Sequence, residues 1–125
     1  MATKYRDGKI VIHTGDTILL PIQLNIGTAV NPDYYELTED DCIYFAIMEP
    51  NQDWEWASIK KVYDFNAWRL NNKSCQIKIS SEDTESLIEG TYYYQVKLYI
   101  KKDPKMLNNE SITTIVPKTK FIIIN

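Results

Sequence analysis

The 125 residues, 44% hydrophobic and 25% charged, fit one folded domain spanning 1–125 and make whole-chain disorder a poor expectation. The net charge of −3 comes without a basic stripe, so a nucleic-acid partner is not expected. No apolar run approaches a bilayer span, and residues 1–15 contain no signal-peptide core. Neither a membrane partner nor secretion is therefore expected, and the chain reads as one made in a cytoplasm.

Taken in order, residues 9–13 and 17–26 read as strands around a Thr14-Gly15-Asp16-Thr17 turn. Ile18, Leu20, Ile22, Leu24 and Ile26 alternate with the period of two expected of a half-buried strand. Pro21 cannot donate a ladder hydrogen bond, which points to an edge or a bulge there. Residues 27–36 read as a loop. Leu37 to Asp41 read as a tight turn or single helical turn capped by Thr38.

Residues 42–48 form the next expected strand, with Ile43, Phe45 and Ile47 on one face and Cys42, Tyr44, Ala46 and Met48 on the other. Both faces are apolar, so one should meet an opposite sheet and the other should lie under loops. Residues 49–56 read as an exposed loop, 57–63 as a short strand, 64–74 as a polar loop holding Trp68, and 75–80 as a strand. Ser80 followed by Glu82, Asp83 and Glu85 is the clearest helix start in the chain, with Gly90 its expected end. Residues 91–101 alternate Tyr92, Tyr94, Val96, Leu98 and Ile100 against Tyr93, Gln95, Lys97, Tyr99 and Lys101. A hairpin loop at 102–110 leads to two closing strands, 111–116 and 119–124, broken by Pro117. The last of these is apolar on both faces and is a candidate exposed sheet edge. About seven strands and one short helix predict an all-β, antiparallel sandwich.

Catalytic chemistry is hard to assemble from these residues. His13 is the only histidine, no Gly-x-Ser-x-Gly occurs, and the four glycines form no phosphate-binding loop. The acids at 39–41 and 82–85 suit turn and helix-start positions better than a paired-carboxylate or calcium site. Cys42 and Cys75 lie in strands without Cys-x-x-Cys spacing and read as reduced thiols. No catalytic residue, metal site or cofactor is expected, and the chain is read as a non-enzyme. The binding candidates are aromatic: Trp54, Trp56, Trp68 and Tyr99. Each Trp can pack on the core, anchor a protein interface or stack on a sugar.

Four blocks carry a family likeness. They are Thr14-Gly15-Asp16-Thr17 with the Ile18–Ile26 alternation, Leu37-Thr38-Glu39-Asp40-Asp41 before Ile43-Tyr44-Phe45, Ile79 to Thr84 followed by Leu87, Gly90, Tyr92 and Tyr94, and Thr113 to Pro117 followed by Phe121 and Ile122. Together the chain resembles the small immunoglobulin-like β-sandwich structural proteins of tailed bacteriophages, and is similar to the N-terminal domain of the phage baseplate upper protein. The likeness implies a virion structural protein made in a bacterial host: an accessory or adaptor subunit of the tail or baseplate, or else a capsid decoration protein. Its implied partners are other virion proteins and copies of itself. From another class, a carbohydrate-binding module holding a host-surface glycan on its Trp residues stays open.

Overall fold

The computed structural model describes residues 3–125. Its strands are β1 (Thr3–Lys4), β2 (Ile10–His13), β3 (Ile18–Ile22), β4 (Cys42–Met48), β5 (Ile59–Asp64), β6 (Cys75–Ile79), β7 (Gly90–Asp103) and β8 (Asn109–Ile124). Two short helices, α1 (Phe65–Leu70) and α2 (Ser81–Glu85), and two 3-10 turns, Trp54–Trp56 and Pro104–Met106, complete it. The fold is mostly β. Six strands form one sheet in the order β1-β2-β8-β7-β4-β5, and β3 pairs with β6 in a second.

Alternation explains how the sheets share one core. Along β7, Tyr92, Tyr94, Val96, Leu98 and Ile100 are all buried. They join Ile43, Phe45 and Ile47 of β4, and Leu20, Ile77 and Ile79 of the smaller sheet, in a single apolar cluster. Ile22, expected in the core, packs partly buried against it. Burying one such side chain contributes about 1.5–3 kcal/mol.

The wholly antiparallel expectation is corrected at one pair. β2 runs parallel to β8, matching Ile10 with Phe121 and Ile12 with Ile123, and all four side chains are fully buried. The closing segment is therefore not a sheet edge: β8 lies between β2 and β7. It is also one strand rather than two. Pro117 and Lys118 fall in a register shift opposite Gln95, so the ladder bulges where proline has no N–H to give. β3 ends at Ile22, short of the expected Ile26, and only an isolated bridge joins Asn25 to Tyr34 beyond it.

Local chemistry sets the helices. Ser80 and Asp83 form a reciprocal capping box at the start of α2. That helix stops at Ser86, not at Gly90, which instead opens β7 with φ 154°. The polar loop expected at 64–74 contains α1, capped by the Asp64 carboxylate accepting from the Ala67 N–H at 2.9 Å. The acid clusters do structural work. Asp83 caps α2 and pairs with Lys61 at 2.8 Å.

Two buried polar groups join separate segments. The Thr84 hydroxyl accepts from the Gly15 N–H and donates to the Asp16 carbonyl, both at 2.9 Å, fixing α2 to the β2–β3 turn. Gly15 has φ 86°, a conformation that favours glycine. Asp41 is fully buried, and its carboxylate accepts from the Tyr35 hydroxyl, the Thr38 N–H and hydroxyl, and the Lys101 N–H of β7. Burial alone would raise its pKa, but these hydrogen bonds outweigh it and hold the carboxyl below its ordinary 3.8.

Two outcomes follow. Phe45→Ala or Leu98→Ala should cost about 2–5 kcal/mol in urea unfolding, whereas costs under about 1 kcal/mol would contradict this core. Asp41 has a depressed folded pKa, so its contribution is present above the unfolded value and is lost as pH falls through the folded one. Asp41→Asn should therefore destabilise the chain at pH 7 by about 1–3 kcal/mol and flatten its acid dependence below pH 4.

Candidate protein interface on the outer sheet face

The face of the larger sheet turned away from the core is set by strand register. One row crosses it from Val62 through Tyr44 and Lys97 to Thr114. The next runs from Asp64 through Cys42 and Tyr99 to Ile112. Val62 and Ile112 are largely exposed.

The segment between β4 and β5 folds back over this face. Trp54 lies half-buried, edge-on to Tyr44, with ring centroids 5.7 Å apart at 87°. Flanking strands pin the segment from both sides. The Lys118 ammonium of β8 donates to the Gln52 carbonyl and the Lys60 ammonium of β5 to the Glu55 carbonyl, each at 2.9 Å. Within it, the Glu49 N–H donates to the Gln52 side-chain carbonyl at 3.0 Å. Ala46 and Met48, on the same side of β4, are fully buried, so the expectation that this strand is covered on both faces holds for its second half, whereas Cys42 and Tyr44 are only half-buried.

Between the returning segment and the sheet lies an open groove of about 740 Å³. Tyr44, Trp54, Tyr99 and Ile112 form its apolar walls. Asp53 and Glu55 line it from the 3-10 turn, and Gln95 and Lys97 from β7. The Tyr99 hydroxyl donates to Glu110 at 2.8 Å, and this hydrogen bond to a carboxylate pushes its pKa up to about 12. The phenol therefore stays a neutral donor across the physiological range. Burial, then the charge of Asp64, raises the pKa of the neighbouring Cys42 thiol, which keeps it protonated and a poor nucleophile.

Of the four sequence candidates, Trp54 and Tyr99 meet in this groove. Trp56, two residues from Trp54, is 72% exposed. Trp68 lies elsewhere: it is 5% exposed, packs on Phe65 with centroids 6.0 Å apart, and borders a smaller crevice of about 240 Å³ beside Cys75. It takes the core-packing alternative, not that of a surface anchor. Burial pushes the Cys75 thiol up to about 12, and both cysteines are free. His13 is exposed at the end of β2. Tyr44, Lys97 and Ile112 were not singled out beforehand. Tyr44 and Lys97 are visible in the alternation of their strands, but pairing between distant strands makes them neighbours.

Among the described residues, no cluster of three His, Cys, Asp or Glu is placed to hold a metal ion, and no helix is long and apolar enough to cross a membrane. No family model matches the chain, and no curated protein or solved structure does so either.

The two groove-side tryptophans should separate by experiment. Trp56→Ala should leave stability within about 0.5 kcal/mol, as for an exposed side chain. Trp54→Ala should cost at least about 1 kcal/mol through the lost contact with Tyr44. Unfolding followed by far-UV circular dichroism checks this, and equal costs for the two would contradict the packing.

Proposed function

We propose that this chain is a non-enzymatic structural subunit that works by binding protein, and that it belongs with the immunoglobulin-like β-sandwich proteins of tailed-phage particles as a tail or baseplate accessory. The observation that carries the binding reading is the outer sheet face. It places exposed Ile112 and half-buried Tyr44 and Tyr99 beside a fixed tryptophan and a half-buried lysine in one groove, and large rigid anchors dominate interface energies.

The placement of the family-like blocks supports the phage reading. Thr14 to Thr17 and Ile79 to Thr84 dock on each other through the Thr84 hydroxyl. Leu37 to Asp41 is the turn built on the buried carboxylate. Thr113 to Pro117 leads into the bulge of β8. The residues of these blocks are joints of the fold, and the resemblance therefore rests on residues that set the architecture. Two sheets around one core support the sandwich reading.

A mass-spectrometric inventory of particles purified from the phage that encodes the chain, split into heads and tails, tests the reading. The expected result is the chain in many copies in the tail fraction. Enrichment in heads would favour a decoration protein. Absence from particles, together with glycan-array binding lost in Trp54→Ala and Trp56→Ala, would replace the reading with a carbohydrate-binding one.

A further inference from the structure

The sheet order gathers positive charge that no stretch of the sequence displays. β2 runs beside β8, with Ile10 opposite Phe121 and Val11 opposite Ile122. One step back along both strands, Lys9 and Lys120 are neighbours, and Lys120 pairs with Tyr93 of β7. Ile10 and Phe121 are buried in the core, so alternation turns Lys9 and Lys120 to the outer face. The Lys9 ammonium lies 4.4 Å from the centre of the Tyr5 ring, a cation–π contact. Exposed Lys118, at the border of the Trp54 groove, extends the row. The acid facing the row is Glu49, beside Tyr93 and Lys118, while Arg6 and Asp7 in the β1–β2 turn offset each other. Next to the lysines, Val11 and Ile122 point outward and are half-buried.

The opposite charge is collected at the corner between α2 and β7. Glu82, Glu85 and Glu89 are exposed there, and Asp83 is paired with Lys61. The chain has no Lys, Arg or His from 79 to 96. Ile88, between Glu85 and Glu89, is 82% exposed. The corner is held in one shape by the Ser80–Asp83 capping box and by the Tyr92 hydroxyl, which donates to the Ile88 carbonyl at 2.6 Å. Among the described residues, no ion pair engages Lys9, Lys118, Lys120, Glu82, Glu85 or Glu89. Both sets of charges are therefore open to a partner.

We propose that the acidic α2–β7 corner of one copy docks on the Lys9–Lys120 row of a second copy, and the reverse, in a two-fold dimer. Ile88 covers Val11 and Ile122, while Glu85 and Glu89 face Lys9 and Lys120. The two surfaces match in both respects, apolar centre against apolar centre and acid against base. Exposed ion pairs contribute little singly, so the apolar contact supplies affinity and the charges select the partner and its orientation. Tyr93, the partner of Lys120, lies three residues, roughly 10 Å, along β7 from Gly90, where the corner ends. The two patches therefore border each other, and a two-fold axis between them makes the same contact twice. The contact leaves the Trp54 groove open, so it stands or falls apart from the role of that groove.

Sedimentation velocity on the full chain over a concentration series tests this. Wild type should dimerise, and less so as salt is raised. Lys120→Glu and Glu89→Lys should each weaken dimerisation roughly tenfold or more. Both side chains are exposed, so far-UV circular dichroism should not change. A chain carrying both reversals again sets opposite charges against each other across the two-fold axis, and should recover most of the lost affinity. A merely structural effect of either change cannot give that recovery. Wild type that stays monomeric up to its solubility limit, single reversals that dimerise like wild type, or a double variant no better than the singles would each overturn the proposal. Monomeric wild type that binds a labelled oligoglutamate peptide or single-stranded oligonucleotide, with binding lost in Lys120→Glu, would also overturn it and give the lysine row a foreign acidic partner. Incorporation of Trp56→Ala into particles reads the groove separately.

Discussion

Strand β7 must satisfy two surfaces at once. A strand sends alternate side chains to opposite faces, so its inward row of Tyr92, Tyr94, Val96, Leu98 and Ile100 commits the outward row of Tyr93, Gln95, Lys97 and Tyr99 to whatever lies outside. β7 pairs with both β4 and β8, and the rows propagate through their registers. A slip of one residue would exchange core and surface across the sheet. The groove is thus tied to the core: Lys97 and Tyr99 face outward because Val96 and Leu98 face inward.

The segments around this sheet are fixed by a few buried polar groups. Asp41 ties the 35–41 turn to the backbone of β7, and Thr84 ties α2 to the turn between β2 and β3. Among the described residues, no buried side-chain nitrogen or oxygen lacks a hydrogen-bond partner. Such groups are costly to bury unless every bond is made, and once satisfied they hold loops in one geometry. The same economy shapes the binding face. Lys118 and Lys60 hold the returning segment by its backbone carbonyls, which leaves the Trp54–Trp56 turn preorganised. Preorganisation lowers the ordering cost of association.

The sequence made the period-two elements legible because each strand's burial is a local pattern. The inward rows of β4 and β7 were readable residue by residue, and the Ser80–Asp83 cap was readable as a helix start. Other features depended on contacts that no window contains. The six residues of α1 are too few to display a helical period, so Asp64 as a cap was hidden in polar surroundings, and Trp68 was readable only as one of three alternatives, of which it takes core packing. The parallel pairing of β2 with β8 joins residues more than a hundred positions apart and turned an expected edge into an interior strand. For the candidate site, Trp54, Trp56 and Tyr99 were readable as aromatic anchors. Their convergence with Tyr44, Lys97 and Ile112 required the sheet order.

The central claim is that the outward groove is a surface covered by protein when the chain is at work. Hydroxyl-radical footprinting of Trp54 and Trp56, in the isolated chain and in the assembled particle, tests it most directly. The account predicts that Trp56, open in the isolated chain, is strongly protected in the particle, with a smaller further protection of half-buried Trp54. Equal labelling of Trp56 in the two states would contradict it.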